Sequence, residues 1–269
     1  MTMVGQERVR NVLFIMCDQL RWDYLSCYGH RVLDTPNIDG LAKRGVRFDA
    51  AYVQSACCVP SRMSYYTGRY VSSHGATWNY VPLSVVQNTL GDFLKGAGLE
   101  AMLAGKTHVI PDKLGLQRFG LDADSSLGRH YLHGGFVEMD RYDGHSSPGS
   151  ESGYADYLRK QGYDSADPWT DYAIGALDEN GQAVSGWLLR NAHFPARVDR
   201  RHSETAYMTD RALEYIRAKG EQPWVLHLSY IKPHWPLMAP KPYHDMYRDT
   251  DTGPIISPEA ETAPPHPVL

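Results

Sequence analysis

Three short, largely apolar runs separated by amphipathic segments constrain the fold of this chain more than any other feature. They cover residues 11–17, 99–104 and 224–230. Runs of this length and composition are typical of strands in a parallel sheet that is covered on both faces. Helical patterns over residues 88–97 and 204–219 follow a different period, and a glycine ends each of them. We therefore predict an α/β fold with a mainly parallel central sheet and helices on both faces.

The composition excludes several classes of protein. With 269 residues, 42% hydrophobic and 22% charged, the chain resembles an ordinary soluble globular protein. A net charge of -4 gives no basic surface for nucleic acid, and no apolar stretch is long enough to cross a membrane. The polar first ten residues do not resemble a signal peptide, and four cysteines are too few for a disulfide scaffold. We predict a cytoplasmic protein with reduced thiols.

Residues 57–69, CCVPSRMSYYTGR, combine a thiol, a helix start and a fixed cation. Pro60 suits the first turn of a helix, and Gly68 suits its end. Cys58 is then expected at a helix N-terminus, which favours anions, with Arg62 one turn along the same face. This spacing predicts a nucleophile that handles an anion. The alternative is a buried cysteine before an ordinary helix, and this is our interpretation of Cys57.

Polar residues follow each of the predicted strands. They are Asp18 and Gln19 after the first, Lys106 and His108 after the second, and Lys232 and His234 after the third. Ligands of open α/β sheets bind at the carboxyl ends of the strands, so these side chains are candidates for a shared site. Spacing alone leaves ordinary roles open: a helix cap for Asp18, and a surface lysine and a capping histidine for the second pair.

The motif Cys-x-Pro-Ser-Arg followed by Thr-Gly-Arg resembles the signature of the sulfatase family, which belongs to the alkaline phosphatase superfamily. Gly-Lys-x-His at 105–108 and Pro-His-x-Pro at 233–236 are similar to two further sulfatase segments, in the expected order. Residues 242–247, PYHDMY, resemble the phosphonate monoester hydrolase branch in particular. The resemblance covers nearly the whole chain and implies the α/β fold of that superfamily.

The resemblance implies hydrolysis of sulfate esters by a formylglycine that a formylglycine-generating enzyme makes from Cys58. A divalent cation, Ca²⁺ before Mg²⁺ or Mn²⁺, would be bound by Asp18, Gln19 and the converted Cys58. The remaining roles are charge neutralisation by Arg62 and Lys106, deprotonation by His108, proton donation to the leaving alcohol by His234, and substrate binding by Asn79. For Asn79 a role in a turn is an equal alternative. The substrate would be a small anionic ester.

The sequence also departs from the family pattern. Family members are longer, and their second metal-binding pair and a further active-site lysine have no match here; 143–145 and 244–245 are poor substitutes, since no apolar strand precedes them. We therefore interpret residues 1–269 as the N-terminal catalytic portion of a sulfatase-type domain, with a loop-rich pocket region at 120–201 and an extended tail at 252–269. A phosphonate monoester or phosphodiester hydrolase, and a truncated inactive domain, are the alternatives. A homo-oligomer is left open.

Overall fold

A four-stranded sheet lies at the centre of the computed structural model, which describes residues 9–144, 152–248 and 250. Along the chain the strands are β1 (Asn11–Cys17), β2 (Ala101–Gly105), β3 (Phe136–Arg141), β4 (Gly175–Leu177), β5 (Ala183–Ser185) and β6 (Trp224–Tyr230). The central sheet has the order β1-β6-β2-β3, and each neighbouring pair is parallel. β4 and β5 form a separate antiparallel pair. The predicted parallel sheet is confirmed.

Helices along the described chain are α1 (Pro36–Arg44), α2 (Cys58–Thr67), α3 (Val71–His74), α4 (Leu90–Gly96), α5 (Lys113–Arg118), α6 (Ser126–Leu132), α7 (Gly153–Lys160) and α8 (Glu204–Lys219). Successive residues of β2 face different cores, as expected for a period of two. Leu103 packs into a cluster with Val59 and Met63 of α2, whereas Ala104 packs into a cluster with Met208 of α8. The central sheet therefore has helices on both faces.

The described residues divide into two compact units, the first within 9–20 and 51–246 and the second within 21–50 and 247–250. All strands belong to the first unit. Within the second, the Ser26 hydroxyl lies 2.6 Å from the Thr35 hydroxyl and donates to Asp39 at 2.8 Å, which fastens the start of α1 to the preceding turn. The tail predicted at 252–269 lies outside the described residues.

Two stretches differ from what their local sequence pattern alone suggests. Residues 46–48 and 50–53 are rich in apolar and aromatic residues, yet they form no strand in the structure. Phe93 lies at helical spacing from Leu90, yet it is 63% exposed. The structure also adds β3 inside the loop-rich region, where half-buried polar residues hide the strand pattern. Its pairing with β2 is irregular between Leu103 and Ala104, so it lacks the regular alternation of an ordinary strand.

Gly105 at the end of β2 is one position where only glycine fits. Its φ is +104°, and a Cβ placed there would lie 2.0 Å from the Ser229 carbonyl oxygen of β6. The chain can turn sharply against its neighbour because this side chain is absent. The next amide, from Lys106, donates to that same carbonyl at 2.9 Å and so fixes where the lysine side chain begins.

Candidate active site

The carboxyl edge of the central sheet brings together side chains that are far apart in the sequence. Asp18 follows β1, and its amide donates to the Tyr230 carbonyl at the end of β6 at 3.1 Å. Lys106 follows β2 in the same way. One ligand atom from each of Asp18, Cys58 and His234 lies within 4.8 Å of the other two. The parallel topology thus gathers the residues that the sequence placed after separate strands.

Helix α2 begins at Cys58, as the proline position predicts, and ends before Gly68, which has a φ of +66°. The Asn79 side-chain oxygen accepts hydrogen bonds from the Val59 amide and the Cys57 thiol, each at 3.0 Å. This is the chemistry of a helix cap supplied from a distant loop. The contact gives Asn79 a structural role as a cap of α2, which differs from the turn role considered above, and its substrate role stays a prediction.

Arg62 joins α2 to the ends of two strands. Its guanidinium donates to the Lys106 carbonyl at 2.8 Å, to the Ser229 hydroxyl at 3.0 Å and to the Tyr66 hydroxyl at 3.1 Å. A second nitrogen lies 3.4 Å from the Asp18 carboxylate. The planar five-donor fork of arginine suits this geometry better than the point charge of lysine. The side chain is only 3% exposed, so its charge acts on this edge with little screening by water.

Lys106 is the second buried cation. Its ammonium lies 2.5 Å from an Asp18 oxygen, and the lysine side chain is fully buried. Burial opposes ionisation of Asp18, but Arg62 and Lys106 outweigh it and lower the pKa of the carboxyl. Burial lowers the pKa of Lys106 in turn, with Asp18 opposing that change. Two cations facing one carboxylate leave net positive charge, which is the electrostatic requirement for binding an anionic ester.

The ionisation of Cys58 differs from what a helix N-terminus alone suggests. Burial, followed by the negative charge of Asp18, raises the pKa of the thiol despite the two nearby cations. An unmodified Cys58 is therefore a protonated thiol at neutral pH. The expectation from the helix dipole is overruled at this position by desolvation and by a like charge.

His108 lies in a strained loop beyond β2. Its φ is +55°, a region that residues other than glycine seldom adopt. Burial and then the Lys106 cation lower the pKa of His108 to about 4, so the imidazole is neutral and can accept a proton at neutral pH. A base must be unprotonated before it can accept a proton, so the neutral imidazole is consistent with the role that the resemblance implies for His108. That role stays a prediction.

Asp143 holds this loop in place, a role that the sequence did not reveal. One carboxyl oxygen accepts from the amides of Thr107 at 2.9 Å and His108 at 3.0 Å. The other accepts from the Arg141 guanidinium at 2.7 Å. In the sequence, Asp143 is a candidate only for a metal ligand, and a poor one. A possible signal was its position two residues beyond the arginine that ends a strand.

His234 and Gln19 complete the set. His234 Nδ1 lies 2.5 Å from the Trp235 carbonyl, an acceptor, so Nδ1 carries the proton in a neutral ring. Burial lowers the pKa of His234. Gln19 is exposed and has a φ of +62°. Its neighbour Asp18 belongs to the cluster at the sheet edge, and the ligand role of Gln19 stays a prediction.

The side chains at the sheet edge show how well the site suits the predicted divalent cation. Asp18 offers a carboxylate, Gln19 an amide oxygen and His234 an imidazole, while position 58 would offer oxygen only after conversion. Hard cations prefer oxygen, and Ca²⁺ takes about six to eight ligands. Lys106 and Arg62 already face the carboxylate. Within the described residues, the site fits one side of a coordination shell and does not complete it.

Known protein families include one whose model matches most of this chain. The family model described as Sulfatase matches residues 10–255. The chain belongs to the sulfatase family. The match covers nearly the whole chain, and the family is the one that the three sequence motifs predicted.

Individual relatives of this sulfatase-family chain include both sulfatases and phosphonate hydrolases. It is 30% identical to the multifunctional alkaline phosphatase superfamily protein PehA of Trinickia caryophylli, over 97% of this chain and 49% of the relative. It is 30% identical to the arylsulfatase of Clostridium perfringens, over 90% and 47%. Among solved structures, the phosphonate monoester hydrolase SpPMH from Silicibacter pomeroyi superposes with a TM-score of 0.71 at 30% identity, over 89% of this chain and 44% of that one.

The chain therefore spans about half the length of the curated relatives that it matches, namely 49% and 47% of the two above. The predicted fold class and the predicted family are both confirmed. As for a membrane, no helix among the described residues combines the length and apolar character needed to cross one.

Proposed function

We propose that this chain carries the catalytic half of a hydrolase that cleaves sulfate monoesters at the carboxyl edge of its central sheet. The observation that carries the proposal is the convergence of Asp18, Cys58 and His234 within 4.8 Å, against the buried cations Arg62 and Lys106. Neither cation is required by the fold alone, because apolar side chains could fill the same space. A buried excess of positive charge beside a nucleophile position is what transfer of an anionic group needs.

Binding of the ester would fall to the two cations. Arg62 presents a nitrogen toward Asp18 from a guanidinium that three other acceptors hold rigid. Lys106 approaches the same carboxylate from the end of β2. A sulfate or phosphonate oxygen would share these donors with Asp18. Since both donors are held in place beforehand, little reorganisation is needed when charge develops on the transferred group.

Position 58 would act after conversion of its thiol to an aldehyde by a formylglycine-generating enzyme, since the thiol itself stays protonated. Formylglycine, when present, supplies a hydrate with one hydroxyl for attack and a second for release of the product. A divalent cation would be held by Asp18, Gln19 and position 58 and would supply further neutralisation of negative charge. Ca²⁺ is the first choice, with Mg²⁺ and Mn²⁺ as alternatives.

Two histidines would handle protons. His108 is neutral at working pH and accepts the proton of the remaining hydroxyl. His234 faces the nucleophile position, with its Nδ1 proton held by the Trp235 carbonyl. Its Nε2 would have to gain a proton in the presence of the anionic substrate before it could donate to the leaving alcohol.

A phosphonate monoester or phosphodiester is the second candidate substrate. Two observations favour it: the similarity to the phosphonate monoester hydrolase SpPMH, and the PYHDMY segment at 242–247. The relative PehA of Trinickia caryophylli is also described as multifunctional. Sulfate monoesters, phosphonate monoesters and phosphodiesters each carry one negative charge when ionised, so charge does not distinguish them, and parallel assays with an aryl sulfate and an aryl phosphonate are needed to separate the two.

The decisive experiment begins with conversion of Cys58. We expect the peptide of residues 48–62, from protein expressed with a formylglycine-generating enzyme, to show the mass decrease of thiol-to-aldehyde conversion. Cys58→Ala is the control. Converted protein is then assayed with both aryl esters, with and without Ca²⁺. An unconverted thiol, or converted protein that turns over neither ester, contradicts the proposal and favours a domain that only binds.

A further inference from the structure

A cavity of about 690 Å³ lies beneath the start of α8, apart from the anion site. Its walls are mostly apolar: Trp169, Ala173, Val198, Leu237, Met238 and Tyr243. The volume is within the range of small-molecule pockets, about 300 to 1,000 Å³. We call the cluster of Asp18, Cys58, Arg62, Lys106 and His234 the anion site. Among the described residues that line the cavity, none belongs to this cluster. Lys232 and Pro233 do line it, and they lead directly into His234.

Glu204 is the unusual residue of this cavity. It is the first residue of α8, lines the cavity and is only 3% exposed. Neither of its carboxyl oxygens makes a hydrogen bond of good geometry to a described residue, although the Lys232 cation, the Ile231 amide and the Thr205 hydroxyl lie near enough to act on its pKa, each lowering it. A buried acid without such partners costs free energy, and native proteins seldom leave one in that state unless a ligand or water satisfies it.

The charges around the cavity narrow the ligand class. Glu204 and Asp210 carry negative charge, and Arg200 and Lys232 carry positive charge, so the formal sum is zero. A cationic ligand would meet two like charges, and so would an anionic one. Burial also raises the pKa of Glu204 to about 7, which suits a neutral hydrogen-bonding partner better than an ion pair. The apolar walls require a ligand that is largely hydrocarbon.

We propose that this cavity binds an uncharged apolar alcohol of one or two rings, whose hydroxyl donates a hydrogen bond to Glu204. The hydrocarbon body would cover the apolar walls, and the hydroxyl would satisfy the buried carboxyl. Such a ligand would also pack against Lys232 and Pro233, the segment that carries His234. The proposal goes beyond hydrolysis at Cys58 and holds whether or not the chain turns over an ester.

The test is equilibrium dialysis of the full chain, with Cys58 unconverted, against naphthol and against its methyl ether. The two probes have the same ring system, but only naphthol can donate a hydrogen bond. We expect saturable binding of naphthol, about tenfold tighter than that of the ether, as one hydrogen bond to a buried carboxyl provides. Because no turnover is involved, failure of this test is distinguishable from failure of the proposed hydrolase activity.

Three variants sharpen the test. Glu204→Met should reduce the affinity for naphthol to that for the ether; because it removes a buried acid and also the negative charge that acts on Lys232, its thermal unfolding is measured alongside. Ala206→Phe, on the cavity wall in the first turn of α8, should abolish binding of both probes. Glu221→Met is the matched control, since this side chain is 97% exposed, and should change neither affinity.

Any one of the following results would overturn the proposal: no saturable binding of naphthol, equal affinity for naphthol and ether in the unaltered chain, or unchanged naphthol affinity in Glu204→Met. Thermal unfolding of each variant shows that it is folded. Retained binding in Ala206→Phe would likewise contradict the assignment, because it would mean that the probe occupies another site.

Discussion

The Lys106 ammonium lies 2.5 Å from a carboxyl oxygen of Asp18, and both side chains are withdrawn from water, at 0% and 10% exposure. The pair joins the end of β2 to the end of β1 across β6, which lies between them in the sheet. Such a pair adds little net stability compared with apolar side chains of the same size, because desolvation offsets attraction. Its presence at the carboxyl edge is therefore better explained by function than by stability.

The Lys106–Asp18 pair gives a first prediction. Lys106→Met should lower the free energy of unfolding by about 3 kcal/mol, since Asp18 would keep only Arg62 as a buried partner. The double variant Lys106→Met/Asp18→Leu should regain part of that loss while staying inactive. Chemical denaturation measures the stabilities, and Lys95→Met, at an exposed lysine, is the control. A double variant less stable than either single variant would show that the pair does stabilise the fold.

Asn79 gives a second prediction, which separates its two candidate roles. Asn79→Ala should cost about 1 kcal/mol, because the Val59 amide and the Cys57 thiol lose their acceptor. Asn79→Asp keeps an acceptor oxygen, so it should retain stability. If Asn79 also contacts the anionic substrate, the new negative charge will raise KM in the aspartate variant. Unfolding curves and steady-state kinetics on converted protein measure the two effects, and an unchanged KM leaves the cap as its role.

Sequence patterns predicted those helices and strands whose limits are set by residues close to them along the chain. The apolar strands β1 and β6 appear close to their predicted limits, and so do the helices α2 and α8, which have a proline or serine at the start and a glycine after the end. β1, however, is an edge strand and is largely exposed, so the expectation that it is covered on both faces was wrong. The motifs that suggested an active site also lie where the topology of a parallel sheet requires. The sequence was less informative wherever a role depends on residues distant along the chain.

Two features illustrate that limit. β3 was missed because a half-buried strand with Glu138, Asp140 and Arg141 carries no apolar run. The role of Asp143 is not evident from the sequence because its partners, the Thr107 and His108 amides, lie more than thirty residues earlier. The thiol of Cys58 is a third case, since only the folded structure shows how far burial and Asp18 outweigh the helix N-terminus.

His227 gives a third prediction, on the pH dependence of stability. It is 1% exposed, and its two ring nitrogens lie 3.1 Å from the Phe14 carbonyl and 3.2 Å from the Tyr66 hydroxyl. Burial lowers its pKa from 6.5 to about 4. The unfolded chain therefore takes up a proton near pH 6.5 that the folded chain refuses until about pH 4. Stability is full above the higher value and falls as the pH drops through this window.

The expected loss from His227 is about 3 kcal/mol across that window. His227→Gln should flatten the pH dependence by that amount, although it lowers stability at neutral pH. Denaturant unfolding at several pH values measures both changes. His193→Gln, at an exposed histidine, is the control and should leave the slope unaltered. A slope that does not change in His227→Gln would mean that other groups, such as His108, carry the dependence.

Asp143 gives the last prediction. Since it holds the Thr107 and His108 amides and is itself held by Arg141, it should act on catalysis by positioning the His108 loop. Asp143→Asn keeps one acceptor oxygen but loses the charge that pairs with Arg141. We expect kcat of converted protein to fall about tenfold while KM changes less than about threefold, because the cations that bind the anion stay in place.

A simple loss of fold would give a different result for Asp143. It would lower the amount of active protein in proportion to the unfolded fraction, which thermal unfolding and active-site titration detect. Removal of this negative charge should also lower the pKa of His108 further, since Asp143 now raises it. If His108 acts as the base, the acid limb of the kcat profile should move to lower pH. Asp164→Asn, at an exposed aspartate, should leave that limb unchanged, and an unmoved limb in Asp143→Asn would limit Asp143 to a structural role.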